Sequence, residues 1–202
     1  DDAKRRTERT RPLAAEHHFG FGGADPVEMA LDDGRHLRFR GSADRIDTTA
    51  DGGLVVLDYK TGKVDEFRPL GPDNPDERGT KLQLVVYAQA ARAFVGRPDA
   101  PVRSEYWFVS ERGGFVRKGY PVDDGVLARV TTTLGTIVAG IEQGVFPARP
   151  VESYGPFVPC PYCDPDGMGV ADLRREWERK RDDPAVAPYA QLAEPLDGVA
   201  AS

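Results

Sequence analysis

Gly41-Ser42-Ala43-Asp44-Arg45-Ile46-Asp47, then a turn, then Leu57-Asp58-Tyr59-Lys60-Thr61-Gly62, is the stretch on which the reading of this chain turns. In an extended strand, residues two apart share a face, so Asp58 and Lys60 point one way and Tyr59 the other. The intervening Thr49-Ala50-Asp51-Gly52-Gly53 is a turn signal. A hairpin symmetric about Asp51 pairs positions that sum to 102, which sets Asp44 opposite Asp58. Two carboxylates and one ammonium then converge at a strand end. Carboxylates ~5 Å apart across a strand pair repel each other, and one is driven toward protonation. A divalent cation removes the conflict, and carboxylate, carbonyl and water ligands suit Mg²⁺ or Mn²⁺. Two acids, a metal and a lysine are equipment for hydrolysing a phosphodiester: the metal acidifies a water, and the lysine stabilises developing charge. Taken alone, Asp-x-Lys is a cheap pattern, and a surface hairpin with solvated side chains is the more economical reading of it. Arg45 and Asp47 alternate away from Asp44 and are expected to pair with neighbouring charges, not with a metal.

Around this hairpin, residues 16–59 have a β texture. Val27-Glu28-Met29-Ala30-Leu31 alternates ahead of an Asp32-Asp33-Gly34 turn, and Leu37, Phe39 and Ala43 alternate with Arg38, Arg40 and Asp44. Residues 54–59 are mostly apolar and read as a central strand. A loop rich in Pro, Gly and Asp covers 68–79, and 81–95 reads as a helix ended by Gly96 and Pro98. Residues 104–110 form a strand that Glu111-Arg112-Gly113-Gly114 turns into a second at 115–118. Asp123 or Asp124 caps a helix that runs to about Gln143 and stops at Gly144. A short charged helix is expected over 172–181, and the last twenty residues read as a tail. This order predicts class α/β (α+β), a central mixed sheet flanked by helices. Three regions follow: a basic segment, 1–15, read as the end of a helix whose start lies upstream; a core, 16–146; and a Pro/Gly-rich extension, 147–202, with a short charged helix.

Composition narrows the function classes. The 202 residues are enough for one ordinary domain with a real core. Lys+Arg 27 against Asp+Glu 33 leaves −6, which argues against a protein that holds nucleic acid by bulk charge alone and leaves room for a local basic groove. Apolar runs such as Leu54-Val55-Val56-Leu57 fall far short of the roughly 18 residues that span a bilayer. Two cysteines are too few for a disulfide scaffold, so a reducing, cytoplasmic setting is expected. The chain opens at Asp1 inside a charged run, and is expected to be a piece of something longer. It contains no Gly-x-x-x-x-Gly-Lys-Ser/Thr phosphate loop, so it is not itself an ATP motor.

Gly-x-x-Asp-Arg-Ile-Asp, a turn, Asp-Tyr-Lys-Thr-Gly, and then Gln83-Leu84-Val85-Val86-Tyr87 on a helix together resemble the RecB-like branch of the PD-(D/E)XK nuclease superfamily. The likeness runs from about 16 to 163 and is greatest to the C-terminal nuclease domains of bacterial helicase–nucleases of the AddB and RecB kind. It implies a restriction-endonuclease-like core, and gives Asp44, Asp58 and the Tyr59 backbone carbonyl as ligands of one or two Mg²⁺ or Mn²⁺ ions. Lys60 takes the place of the catalytic lysine. Gln83 and Tyr87 match the family's Q-x-x-x-Y motif; spaced by four, they share a helical face where they contact DNA or brace the lysine. A buried Gln and Tyr hydrogen-bonded within the core is the competing reading. Lys63, leaving the strand toward the phosphate path, is a weaker candidate for DNA contact.

Two features depart from the family. A metal-binding histidine is expected on a helix before the first strand, but the chain has only His17, His18 and His36. The expectation is that this helix lies upstream of the sequence; alternatively Glu8 or Glu16 supplies the third acid, with His18 behind them. The second departure concerns Cys160-Pro161-Tyr162-Cys163, a C-x-x-C knuckle with no further thiol in the chain. A four-iron cluster needs four thiolates, so an iron–sulfur cluster is not expected here. Cys160 and Cys163 read first as the remnant of such a segment, then as a zinc site completed elsewhere, then as a redox pair.

The leading expectation is a bacterial, Mg²⁺- or Mn²⁺-dependent deoxyribonuclease, exonuclease before endonuclease, serving DNA repair or recombination. Its partners would be DNA, single-stranded or at strand ends, and a helicase domain or subunit. The alternative is a nuclease fold that has lost activity and works as a DNA-binding or scaffold module.

Overall fold

The structure, a computed structural model, describes residues 10–147 and 171–193. Two compact units divide between Gly135 and Thr136. The first is built on a five-stranded sheet in the order β1-β4-β5-β6-β7, from β1 (Arg11–Phe19), β4 (Gly41–Thr48), β5 (Leu54–Lys60), β6 (Val102–Phe108) and β7 (Arg117–Pro121). β5 and β6 run parallel; the other neighbours are antiparallel. A separate hairpin joins β2 (Val27–Ala30) to β3 (His36–Phe39). This mixed sheet with helices is the α/β, restriction-endonuclease-like class expected of the sequence.

Parallel neighbours need a crossover, and α1 (Gln83–Phe94) supplies it between β5 and β6. Its buried Leu84, Val85, Ala88 and Ala91 recur at helical spacing, and the small alanines let the helix come close to the sheet. The facing strand residues are apolar along alternate positions: Leu54 and Val56 of β5, and Val102, Tyr106 and Phe108 of β6, all nearly inaccessible. Gly96, at φ +65, closes the helix; its N–H donates to the Ala93 carbonyl and the Arg97 N–H to the Arg92 carbonyl. Arg92 is itself buried, and its guanidinium donates to the carbonyls of Ala100 and Val122. It ties the end of the crossover to the start of α2 (Asp124–Glu142), which Asp123 caps through the Val126 N–H.

Several boundaries differ from the sequence reading. Residues 11–15 belong to β1, not to a helix end, because they pair with β4. The alternation over 37–43 belongs to two strands in two different sheets, parted at Arg40. β7 starts at Arg117, since Gly114 and Phe115, both at positive φ, prolong the preceding turn. In the second unit, α3 (Ala171–Lys180) matches the expected charged helix. α4 (Ala187–Ala193) lies where a tail was expected; Tyr189 packs edge-on against the buried Trp177 at 6.4 Å, and Ala190 is buried.

Gly119 on β7 offers a test of this sheet. A Cβ there would meet the Ser104 carbonyl oxygen at 2.1 Å and the Glu105 Cα at 2.6 Å, both backbone atoms that no rotamer change can move aside. Gly119→Ala should therefore cost about 2 kcal/mol or more in urea unfolding. A loss below about 0.5 kcal/mol, the range of an ordinary surface change, would contradict the β6–β7 register.

Candidate active site

β4 and β5 pair as Thr48↔Leu54, Asp47↔Val55, Ile46↔Val56 and Arg45↔Leu57, each summing to 102 as the hairpin symmetry requires. The ladder then stops one step before Asp44 and Asp58, while β5 continues beside β6 as far as Lys60↔Phe108. Past that point a side chain replaces the ladder: Asp44 Oδ2 accepts the Tyr59 N–H at 2.7 Å. This spans the parted strands and holds the two acids beside each other.

Asp58 is only 4% exposed, so it is not the solvated strand-end carboxylate of the economical reading. Its Oδ2 pairs with the Lys60 ammonium but receives no hydrogen bond of acceptable geometry, so the carboxylate is short of donors. Burial pushes the Asp58 carboxyl above the usual range; Lys60 opposes that, and the Asp44 charge adds to it. Lys60 Nζ also donates to Gln83 Oε1 at 3.2 Å and lies 4.9 Å above the ring of Tyr106. Gln83, the first residue of α1, donates through Nε2 to the Tyr87 hydroxyl at 3.2 Å and accepts from the Tyr106 hydroxyl at 3.4 Å. Gln83 is exposed and Tyr87 half-buried, so they are not a closed core pair. Burial, followed by the charges of Asp58 and Asp44, raises the Tyr87 phenol against the Gln83 hydrogen bond.

Tyr106 went unnoticed in the sequence. It is fully buried, and burial first, then the Asp58 charge, keeps its phenol protonated. Nothing in a single chain announces that β6 lies parallel to β5 with Tyr106 beside Asp58. The other candidates stand apart. Lys63 is exposed in the loop after β5. Arg45 and Asp47 form a forked ion pair of 2.7 and 2.6 Å, as strand alternation foretold. Glu16 is exposed at φ 49, His18 is exposed, and His17 packs its ring 4.6 Å from that of Phe94; burial, then His18, lowers the His17 imidazole. Among the described residues no three His, Cys, Asp or Glu side chains converge on a metal position. Glu8, Cys160 and Cys163 lie outside the described residues. A cavity of about 720 Å³, lined by Asp51, Leu54, Arg92, Arg103 and Asp123 among others, sits at the opposite end of β5 and β6 and includes none of these groups.

The donor set fits a hard divalent cation. Two carboxylates share one space, and one of them is buried with an oxygen short of donors. The family described as the PD-(D/E)XK nuclease superfamily matches residues 1–166. The chain belongs to that superfamily. PD-(D/E)XK proteins are generally metal-dependent nucleases. No curated protein matches the chain. A solved structure described as "Crystal structure of SSO0001" is similar at 17% identity and a TM-score of 0.32, over 66% of this chain and 54% of that one. The chain thus spans about half of that structure's length. No helix among the described residues is long and apolar enough to cross a membrane.

The Asp58 shift has a pH signature. A carboxyl raised in the folded state holds its proton more tightly there than in the unfolded chain. The contribution of Asp58 to stability is therefore fully present below the ordinary value of 3.8 and is lost as pH climbs from there through the raised value. Asp58→Asn lacks this loss. Urea unfolding from pH 4 to pH 7 should show the variant gaining on the wild type as pH rises. A constant difference, or a gain by the wild type, would contradict the burial of a charged Asp58.

Proposed function

We propose that this PD-(D/E)XK domain hydrolyses phosphodiester bonds of DNA at the parted end of β4 and β5, as the nuclease module of a repair or recombination helicase–nuclease of the RecB-like kind. The observation that carries the reading is the joint placement of Asp44, Asp58 and a lysine held on three sides, by Asp58, Gln83 and the Tyr106 ring. Asp44, Asp58 and the Tyr59 carbonyl would hold Mg²⁺ or Mn²⁺, which supplies acidification of a water and neutralisation of the scissile phosphate. Lys60 stabilises the charge that develops on the attacking oxygen or the phosphate. Gln83 positions Lys60 by accepting a hydrogen bond from its ammonium, and its own orientation is fixed by Tyr87 and Tyr106. A lysine restrained in this way loses little orientational freedom when substrate arrives.

Net charge supports the modular part of the proposal. At −6 the chain gains little from non-specific attraction to a polyanion, which suits a domain brought to DNA by a partner.

The purified chain should cleave labelled single-stranded DNA in Mn²⁺, and end-labelling distinguishes stepwise from internal cuts. Asp44→Ala, Asp58→Ala and Lys60→Ala should each lower the rate by on the order of 10²–10³, the scale of losing one electrostatic contributor. Gln83→Ala should be milder, and Gln83→Glu should restore part of the loss by keeping an acceptor for Lys60. Undiminished cleavage in Lys60→Ala would exclude this assignment, and loss of folding in parallel with activity would point to a structural role.

A further inference from the structure

The face of the sheet turned away from α1 carries an ordered row of four side chains, one from each of four adjacent strands. Arg45 of β4 donates to the Tyr59 hydroxyl at 3.4 Å. Tyr59 of β5 stacks against Trp107 of β6, with ring centroids 5.5 Å apart at 49°. The Arg117 guanidinium of β7 lies 4.6 Å over the Trp107 ring. Tyr59 with Trp107, and Trp107 with Arg117, are direct register partners, so the row follows from the pairing itself. Both arginines are anchored from beneath. Asp47 forks onto Arg45, and Glu105 takes Arg117 at 3.4 Å together with Arg103 at 2.6 Å; both acids are almost wholly buried.

The row is held at both ends by paired arginines, and one of its aromatic surfaces remains accessible. Tyr59 keeps 38% of its surface exposed although it sits on a central strand. The turn that follows β6 adds exposed Val109, Phe115 and Val116. Tyr59 is also the residue between Asp58 and Lys60, and its N–H is the one Asp44 holds. A ring resting on Tyr59 is therefore fixed relative to the acids by a single residue of backbone.

We propose that Tyr59, backed by Trp107, is a stacking site for an unpaired nucleobase flanking the scissile phosphate, so that the domain takes single-stranded DNA by its bases as well as its backbone. The inference rests on the nuclease reading for the path of the backbone. Bases within a duplex are already stacked and present only their edges, whereas every unpaired base offers a π-face to an aromatic platform. Asp47 offsets Arg45, and Glu105 is shared by Arg117 and Arg103, so most of the local positive charge is compensated and stacking adds what the residual charge does not supply.

The first arm of the test leaves Tyr59 and Trp107 unaltered. The chain has two tryptophans, so Trp177→Phe leaves Trp107 as the sole indole fluorophore. In EDTA, where no cleavage occurs, an oligodeoxythymidylate should quench Trp107 and bind about tenfold more tightly than an abasic oligonucleotide of equal length. By anisotropy of labelled oligonucleotides, Tyr59→Ala and Trp107→Leu should lower the thymidylate affinity to the abasic level and leave the abasic affinity in place. Equal affinity for the two oligonucleotides, or thymidylate binding without quenching, overturns the stacking site. Cleavage in Mn²⁺ is scored separately: cleavage with no dependence on bases removes the shelf and keeps the nuclease, and base-dependent binding with no cleavage does the reverse.

Discussion

The hydrogen bond from the Tyr59 N–H to Asp44 is the interaction on which the rest of the site depends. Antiparallel pairing between β4 and β5 ends at Arg45 and Leu57, and from there the two strands separate. A backbone donor left by a finished ladder must find another acceptor. Here the acceptor is a carboxylate, which brings a second negative charge to the buried Asp58. The cost of gathering two acids is met on the other side by Lys60, and Lys60 is in turn fixed by the first turn of the crossover helix. One unfinished strand pair thus sets the positions of both acids and, through residue parity, of the lysine.

The two faces of the sheet serve different ends. Toward α1, apolar residues of β5 and β6 pack under the helix that carries Gln83 and Tyr87, so core packing and lysine placement are one arrangement. On the far face, ion pairs with buried acids hold an aromatic row in place. A buried pair of this kind is weak evidence for stability, since desolvation offsets the attraction. Its clearer consequence is geometric, because it orients Arg45 and Arg117 around Tyr59 and Trp107.

Much of this was legible in the chain. Period-two alternation and the turn at Asp51 fixed the hairpin register, and the same parity set Arg45 and Asp47 apart from Asp44. The helix read over 81–95 spans 83–94, and its stop at Gly96 was legible as a helix-ending glycine. The rest depends on contacts that a linear pattern does not carry. That the β4–β5 ladder stops before Asp44 is not carried by the alternation, and the placement of Tyr106 beside the buried Asp58 and under Lys60 follows from β5 pairing in parallel with a strand some fifty residues away. Residues 11–15, Arg-Pro-Leu-Ala-Ala, read as part of a helix end because an edge strand covered on only one side shows no clear period-two alternation. A third acid or histidine for the metal does not join Asp44 and Asp58 among the described residues.

The central claim is that Asp44 and Asp58 together form a site for a hard divalent cation. Titration calorimetry with Mn²⁺ at pH 7, on the wild type, Asp44→Asn and Asp58→Asn, tests it most directly. A saturable heat in the wild type that disappears in both variants, while their circular dichroism stays unchanged, is the result the account predicts. Equal Mn²⁺ affinity in all three proteins would place the cation elsewhere and contradict it.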